Sequence, residues 1–319
     1  MAHQVASMAY VNETPWHGIG NRLARNQPLE VWAKQAGMDF RILETPVRYM
    51  SDSAGSLGAI KTFHDQKVLY RSDTKAALSV VSNRYQVVQP REILEFYRDL
   101  SDIAGYELET AGVLKEGRKV WALAKTNQST RLKGVDAIHG YILLATACDG
   151  TLATTAQFTS VRVVCNNTLA VAVANGSGAV KVPHNTSFDA QAVKQQLGIS
   201  VSSWDAFMYR MKTLAERKVK SHEAMNYFLK VFNHSDTAAA GLSNERAMKK
   251  VMALYDGHGK GAELASAKAT AFGLLNAVTE YVDHERRAMS AGHRLESAWF
   301  GQGATLKQRA LDQVLLMAA

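Results

Sequence analysis

Residues 138–148 and 152–164 form two runs rich in apolar and β-branched side chains, and the dipeptide Asp149-Gly150 stands between them. An Asp-Gly pair supplies the left-handed backbone of a two-residue hairpin turn, so the two runs are constrained to pair as antiparallel neighbours. Residues 106–114 and 119–125 flank the turn sequence KEGR in the same manner. Together the four runs predict an antiparallel meander, which makes a β-sheet the organising element of the chain. The stretch NNTLAVAVA at 166–174 comes next, and its small apolar side chains suit a helix packed closely on that sheet.

Ahead of the meander, LEVWAKQA at 29–36 places Leu29, Trp32 and Ala33 on one helical face, with Gly37 in the stop position. Short β-type segments are predicted at 46–49, 59–63 and 67–71, separated by SDSAGS and by a turn at His64-Asp65-Gln66. A helix starts near Pro90, because proline suits a first turn, and Ile93, Leu94, Phe96, Tyr97 and Leu100 recur at helical spacing before Gly105. The sequence NGSG at 175–178, followed by Pro183, has the signature of a loop and sets the expected domain boundary. Past it, helical patterns occupy 189–197, 204–219, 222–232, 244–255, 261–284, 295–300 and 305–317. The expected class is therefore α+β. A mixed core domain over 1–180 holds the antiparallel β-meander packed with helices, and a mainly helical C-terminal domain covers 181–319.

With 319 residues, 47% of them hydrophobic, the chain can bury a sizeable core. Its two cysteines, Cys148 and Cys165, make no disulfide scaffold and fit a reducing compartment. The first residues lack the charged start and unbroken apolar stretch of a secretory leader, and no later stretch reaches membrane-spanning length. A cytoplasmic protein without membrane contact is the expectation. The formal net charge of +8 attracts polyanions, nucleic acid foremost, although the cations are spread along the chain.

Neither a Walker motif nor a dinucleotide fingerprint is present, which sets aside ATP-driven recombinases and helicases. The motif Trp16-His17-Gly18-Ile19-Gly20 lacks the lysine of a phosphate loop and reads as a turn anchored by an aromatic ring. Arg84 and Tyr85 put a phosphate-binding cation beside a ring that can stack on a base of any identity; the plainer reading is an edge strand with one solvated charge. Arg162, one step before the predicted helix, is either a phosphate contact or the partner of a carboxylate such as Glu107 or Glu109. Arg217, Lys218 and Lys220 lie close to Arg210 and Lys212, with Trp204, Phe207, Tyr209 and Tyr227 interleaved. Nucleic-acid surfaces use that mixture, and so do solvated helix faces above aromatic cores. Cys165 as a nucleophile would need a histidine base that no spacing supplies, and the scattered histidines suggest no structural metal and no cofactor.

At PWHGIG, VVSNRYQVVQP, GRKVWALAK and DGTLATTAQFTSVRVVCNNTLA, spanning Pro15 to Ala174, the chain resembles a phage and plasmid-like protein family built on a domain of unknown function. The resemblance implies a mobile-element protein and carries no catalytic residues. The predicted order of helix, antiparallel meander and helix over Pro90 to Ala174 is also similar to the core of single-strand annealing recombinases, a likeness of topology alone. Such proteins work as rings without ATP. The expected function is ATP-independent single-stranded DNA binding or annealing in recombination by a homo-oligomer, possible as a ring, through Arg84, Tyr85, Arg162, Arg217, Lys218 and Lys220. The alternatives are an interaction protein that inhibits a host defence system or nuclease, and a metal-dependent nuclease built from Glu107, Glu109, Asp136 or Asp149.

Overall fold

The computed structural model describes residues 5–12, 20–52, 58–162, 164, 167–170, 179–202, 204–232 and 240–318. The chain divides into two compact units that interleave. Unit 1 comprises Met1–Lys125, Ile142–Gln157 and Ala179–Leu197; unit 2 comprises Thr126–Tyr141, Phe158–Gly178 and Gly198–Ala319. The passage after Gly178 leads from unit 2 back into unit 1, and residues 179–182, read from sequence as part of a boundary loop, form a strand.

The expected meander is present as β6 (Glu107–Leu114), β7 (Lys119–Leu132), β8 (Asp136–Ala147) and β9 (Thr154–Arg162). With β1 (Val5–Val11), β2 (Asn21–Leu23) and β10 (Asn167–Ala170) they form a sheet in the order β10-β9-β8-β7-β6-β1-β2. A further strand, β11 (Ala179–Val182), pairs antiparallel with the first half of β9, from Ala179↔Gln157 to Val182↔Thr154. Gly150 adopts φ +74°, as the Asp-Gly turn requires, and Asp149 accepts from the backbone N–H of Thr151 at 3.0 Å. Strand β10 corrects the sequence reading, which placed a helix at 166–174. Residues 167–170 instead pair with β9 from Asn167↔Arg162 to Ala170↔Thr159, and the hydroxyls of Thr159 and Ser160 both donate to the Leu169 carbonyl. Pairing with a neighbouring strand outweighs the small side chains that suggested a helix. Residues 166 and 171–174 lie outside those described, as does NGSG at 175–178.

In unit 1, α1 (Leu29–Gln35) buries Trp32, and α2 (Pro90–Ala104) buries Ile93, Leu94, Phe96 and Tyr97, four of the positions its spacing selected; the side chain of the fifth, Leu100, is outside those described. The Glu92 carboxylate accepts from the Gln89 backbone N–H at 2.6 Å, half of a capping box ahead of Pro90 at the first helical position. The Tyr97 hydroxyl reaches the carbonyls of Ala122 at 2.7 Å and Ile142 at 3.0 Å, and burial pushes that phenol well above its ordinary value. A second, antiparallel sheet in the order β3-β4-β5 consists of β3 (Ile42–Met50), β4 (Ile60–Arg71) and β5 (Ala77–Ser82). The turn expected at 64–66 is a bulge inside one long strand: Pro46 pairs with Lys67 and Val47 with Phe63, leaving three residues of β4 unopposed.

Unit 2 gathers α4 (Trp204–Glu216), α5 (Ser221–Phe232), α6 (Ala240–Ala253), α7 (Ala271–Glu280), α8 (Ala291–Phe300) and α9 (Gln302–Ala318); α3 (Ala190–Ser202) begins in unit 1 and ends in unit 2. Every residue of α7 is buried, and the Thr270 hydroxyl caps it by accepting from Gly273 N–H at 3.0 Å. The helix read from sequence at 261–284 is shorter than expected. Residues 260–269 form successive turns, with Gly261 at φ +70° and Ala269 at φ +53°. The α+β class stands, with antiparallel sheets followed by a mostly helical C-terminal region. Among the described residues no helix is long and apolar enough to cross a membrane.

Candidate nucleic-acid interface

The six residues selected from sequence meet four different fates. In unit 1, Arg84 sits exposed in the turn after β5, while the Tyr85 ring stacks on His184 with centroids 4.4 Å apart and planes at 17°. The Tyr85 hydroxyl donates to the Ala147 carbonyl at 2.6 Å, and burial raises its pKa above the usual phenol value. One face of this ring already has an internal partner, so Tyr85 serves packing first. The same turn is where the plainer reading put an edge strand, and β5 does lie at the edge of its sheet.

In unit 2, Arg162 is 4% exposed and fully enclosed. Its guanidinium grips Asp136, with Nη2 at 2.7 Å from Oδ2 and Nε at 2.9 Å from both carboxylate oxygens. Nη2 also donates to the Gly261 carbonyl at 3.0 Å, and the Ser266 hydroxyl donates to Asp136 at 2.6 Å. The carboxylate partner is thus Asp136, where the sequence suggested Glu107 or Glu109. Excellent geometry and saturated hydrogen bonds are what a buried ion pair needs to offset the loss of water. Gly261 fits here because of its left-handed backbone and because a Cβ would stand 2.7 Å from Val164 Cγ1. A burial this complete leaves Arg162 no opening for a phosphate.

A second buried cluster lies in the same unit. Lys307 Nζ is 2.8 Å from Asp283 Oδ1 and 2.8 Å from both the carbonyl and the hydroxyl of Thr168, whose N–H also donates to Asp283. The Glu280 carboxylate accepts from Lys260 N–H at 3.0 Å, and burial raises its pKa. None of Ser266, Glu280, Asp283 and Lys307 was selected from sequence, and no local motif marks them, because their partners lie 20 to 139 residues away.

The segment after α4 presents the opposite arrangement. Val219 N–H donates to the Ala269 carbonyl at 3.0 Å, Ala271 N–H donates to the Arg217 carbonyl at 2.9 Å, and Lys218 bridges to Thr270 as an isolated antiparallel pair. Extended backbone alternates its side chains. Val219 is buried, so Lys218 and Lys220 fall on the outer side and are exposed. Arg217 is held by Glu223, 2.6 Å away, which also accepts from Lys220 N–H at 2.9 Å at the start of α5; that cation holds the Glu223 carboxyl down to about 2. On α4, Trp204 and Phe207 are core residues, as is Tyr227 on α5, whereas Tyr209 is 73% exposed and Lys212 is exposed beside it. The aromatic and basic mixture therefore separates into a packed interior and one solvated ring among cations.

Of the acids considered for a nuclease, Asp136 is taken by Arg162 and Ser266, and Asp149 by Thr151. Glu107 and Glu109 line a cavity of about 360 Å³ in unit 1 together with Arg25, Trp32 and Arg98. Among the described residues no three His, Cys, Asp or Glu side chains gather as a metal site would need. Cys148 is buried, which pushes its thiol up to about 12 and leaves it without thiolate character. Cys165 and residues 16–19 of the aromatic-glycine motif lie outside the described residues.

No curated protein and no solved structure matches the chain. A family model described as a domain of unknown function, DUF932, matches residues 77–299, from the first residue of β5 into α8. The match covers the whole meander and most of the helical region, and the chain belongs to the DUF932 family.

Proposed function

We propose that the protein binds single-stranded DNA without sequence preference and without nucleotide hydrolysis, in support of strand annealing. The observation that carries this reading is the outward pairing of Lys218 and Lys220 on one side of an extended segment that follows the helix bearing the exposed Tyr209 and Lys212. Lysines supply phosphate contacts and counterion release, and a solvated ring supplies stacking tolerant of base identity. The net charge of +8 favours a polyanionic partner. Annealing by an assembly of several copies, in the cytoplasm and in the DNA metabolism of a mobile element, is the setting that such contacts suit.

The test is fluorescence anisotropy with a labelled oligothymidylate across a salt series. Affinity is expected to fall steeply with salt, and Lys218→Ala with Lys220→Ala should lower the log–log slope by about 1.4, two phosphate contacts at roughly 0.7 each. Absence of binding at low salt overturns the reading.

A further inference from the structure

The β3–β4 ribbon in unit 1 continues beyond the strand that supports it. Strand β5 pairs with β4 only from Gln66 to Tyr70, while the pairs Val47↔Phe63, Arg48↔Thr62, Tyr49↔Lys61 and Met50↔Ile60 lie past the bulge. A two-stranded ribbon is marginal in water by itself. This one nonetheless exposes large apolar side chains at Tyr49 (50%), Met50 (59%), Ile60 (69%) and Phe63 (43%).

Directly opposed residues share a face, so register sorts these side chains. Val47, Tyr49, Lys61 and Phe63 occupy one face; Arg48, Met50, Ile60 and Thr62 occupy the other. On the first face Tyr49 and Phe63 occupy diagonal positions, whose backbone spacing is about 7–8 Å, with Lys61 directly across from Tyr49. The four pairs contain two cations, Arg48 and Lys61, and no carboxylate, so the surface complements an anion. A third cation stands at the root. The Asn83 backbone N–H donates to the Asp65 carbonyl at 3.1 Å and its side-chain amide donates to the His64 carbonyl, which ties the turn bearing exposed Arg84 to the bulge.

An anionic polymer that also offers flat apolar groups matches this combination of cations and exposed rings. We propose that the ribbon is a base-stacking contact for single-stranded nucleic acid, with Tyr49 and Phe63 stacking on bases while Lys61, on the same face, and Arg84, at the root, hold phosphates. The inference rests on the nucleic-acid reading above and adds a second contact, in the other unit, whose ribbon residues precede those that the family model matches.

The full-length protein and the double variant Tyr49→Ala, Phe63→Ala are titrated at low salt with a labelled oligothymidylate and with an abasic strand of equal length. The wild type should prefer the base-bearing strand, and the variant should lose about tenfold or more of that affinity while binding the abasic strand as before. Tyr49→Phe should retain binding. Circular dichroism reports folding, and Tyr49→Leu with Phe63→Leu replaces the alanine pair if that pair unfolds. Equal oligothymidylate binding by wild type and folded variant overturns the ribbon contact and leaves the general reading intact; no binding by the wild type overturns both. A variant that changes oligomeric mass with unaltered affinity identifies a contact between copies, and that also overturns the proposal.

Discussion

The guanidinium of Arg162 is closed in by Asp136 and the Gly261 carbonyl, whereas the ammonium groups of Lys218 and Lys220 stand on the exposed side of a segment whose inward residue is Val219. Both regions belong to unit 2 and carry the same sign of charge. What separates them is the partner set. Arg162 meets a carboxylate and a carbonyl before it reaches solvent, and so acts as a tie between β8, β9 and the turns at 260–266. The two lysines meet water, and so remain available to an outside anion. A net positive charge read from composition mixes these populations, and only burial and pairing divide them.

The sharpest way to break this contrast is Asp136→Ala, which strands a buried guanidinium and should cost about 3–5 kcal/mol in urea unfolding. Adding Arg162→Met should recover most of that loss, since an apolar pair needs no compensation. A neutral Asp136→Ala would mean that Arg162 reaches water and belongs with the lysines. Next in size, Lys307→Met leaves Asp283 buried without its cation and should cost about 3 kcal/mol by the same measurement. The smallest effect belongs to the intermediate case, Arg217 with Glu223. The folded carboxyl sits near 2, below its ordinary 4.5, so the pair's contribution is present above pH 4.5 and disappears as pH falls toward 2. Thermal unfolding of wild type and Glu223→Gln should therefore differ at pH 6 and converge near pH 2. A difference that persists in acid would show that Glu223 acts through its shape rather than its charge.

Much of the fold was legible because it is written locally. Asp149-Gly150 fixes a hairpin, and Ile93, Leu94, Phe96 and Tyr97 fix the inward face of α2, all within a few residues of one another. The helix read at 204–219 ends at Glu216, so the alternation that exposes Lys218 and Lys220 about buried Val219 was not anticipated. Strand β10 was misread because Thr168 to Ala170 suits either conformation until a partner strand is chosen, and that choice depends on β9. Of the buried charges only a carboxylate partner for Arg162 was anticipated, and its identity could not be read. Asp136, Arg162 and Ser266 are separated by 26 and 130 residues along their contacts, distances at which spacing carries no information. The ribbon was half legible: its strands were predicted, but their exposure depends on β5 ending at Ser82, opposite Gln66 of β4, which no residue in β3 announces.

The division of β9 between two neighbours bears on how this chain can be altered. Its first half pairs with β11 in unit 1 and its second half with β10 in unit 2. No single cut in the gene yields either unit whole, since truncation after residue 180 would strip unit 1 of α3 and half of β11 while taking α4 to α9 from unit 2. Neither unit can therefore be produced alone by a simple truncation. Swapping functions between relatives would require three-segment grafts for each unit rather than a simple fusion of halves.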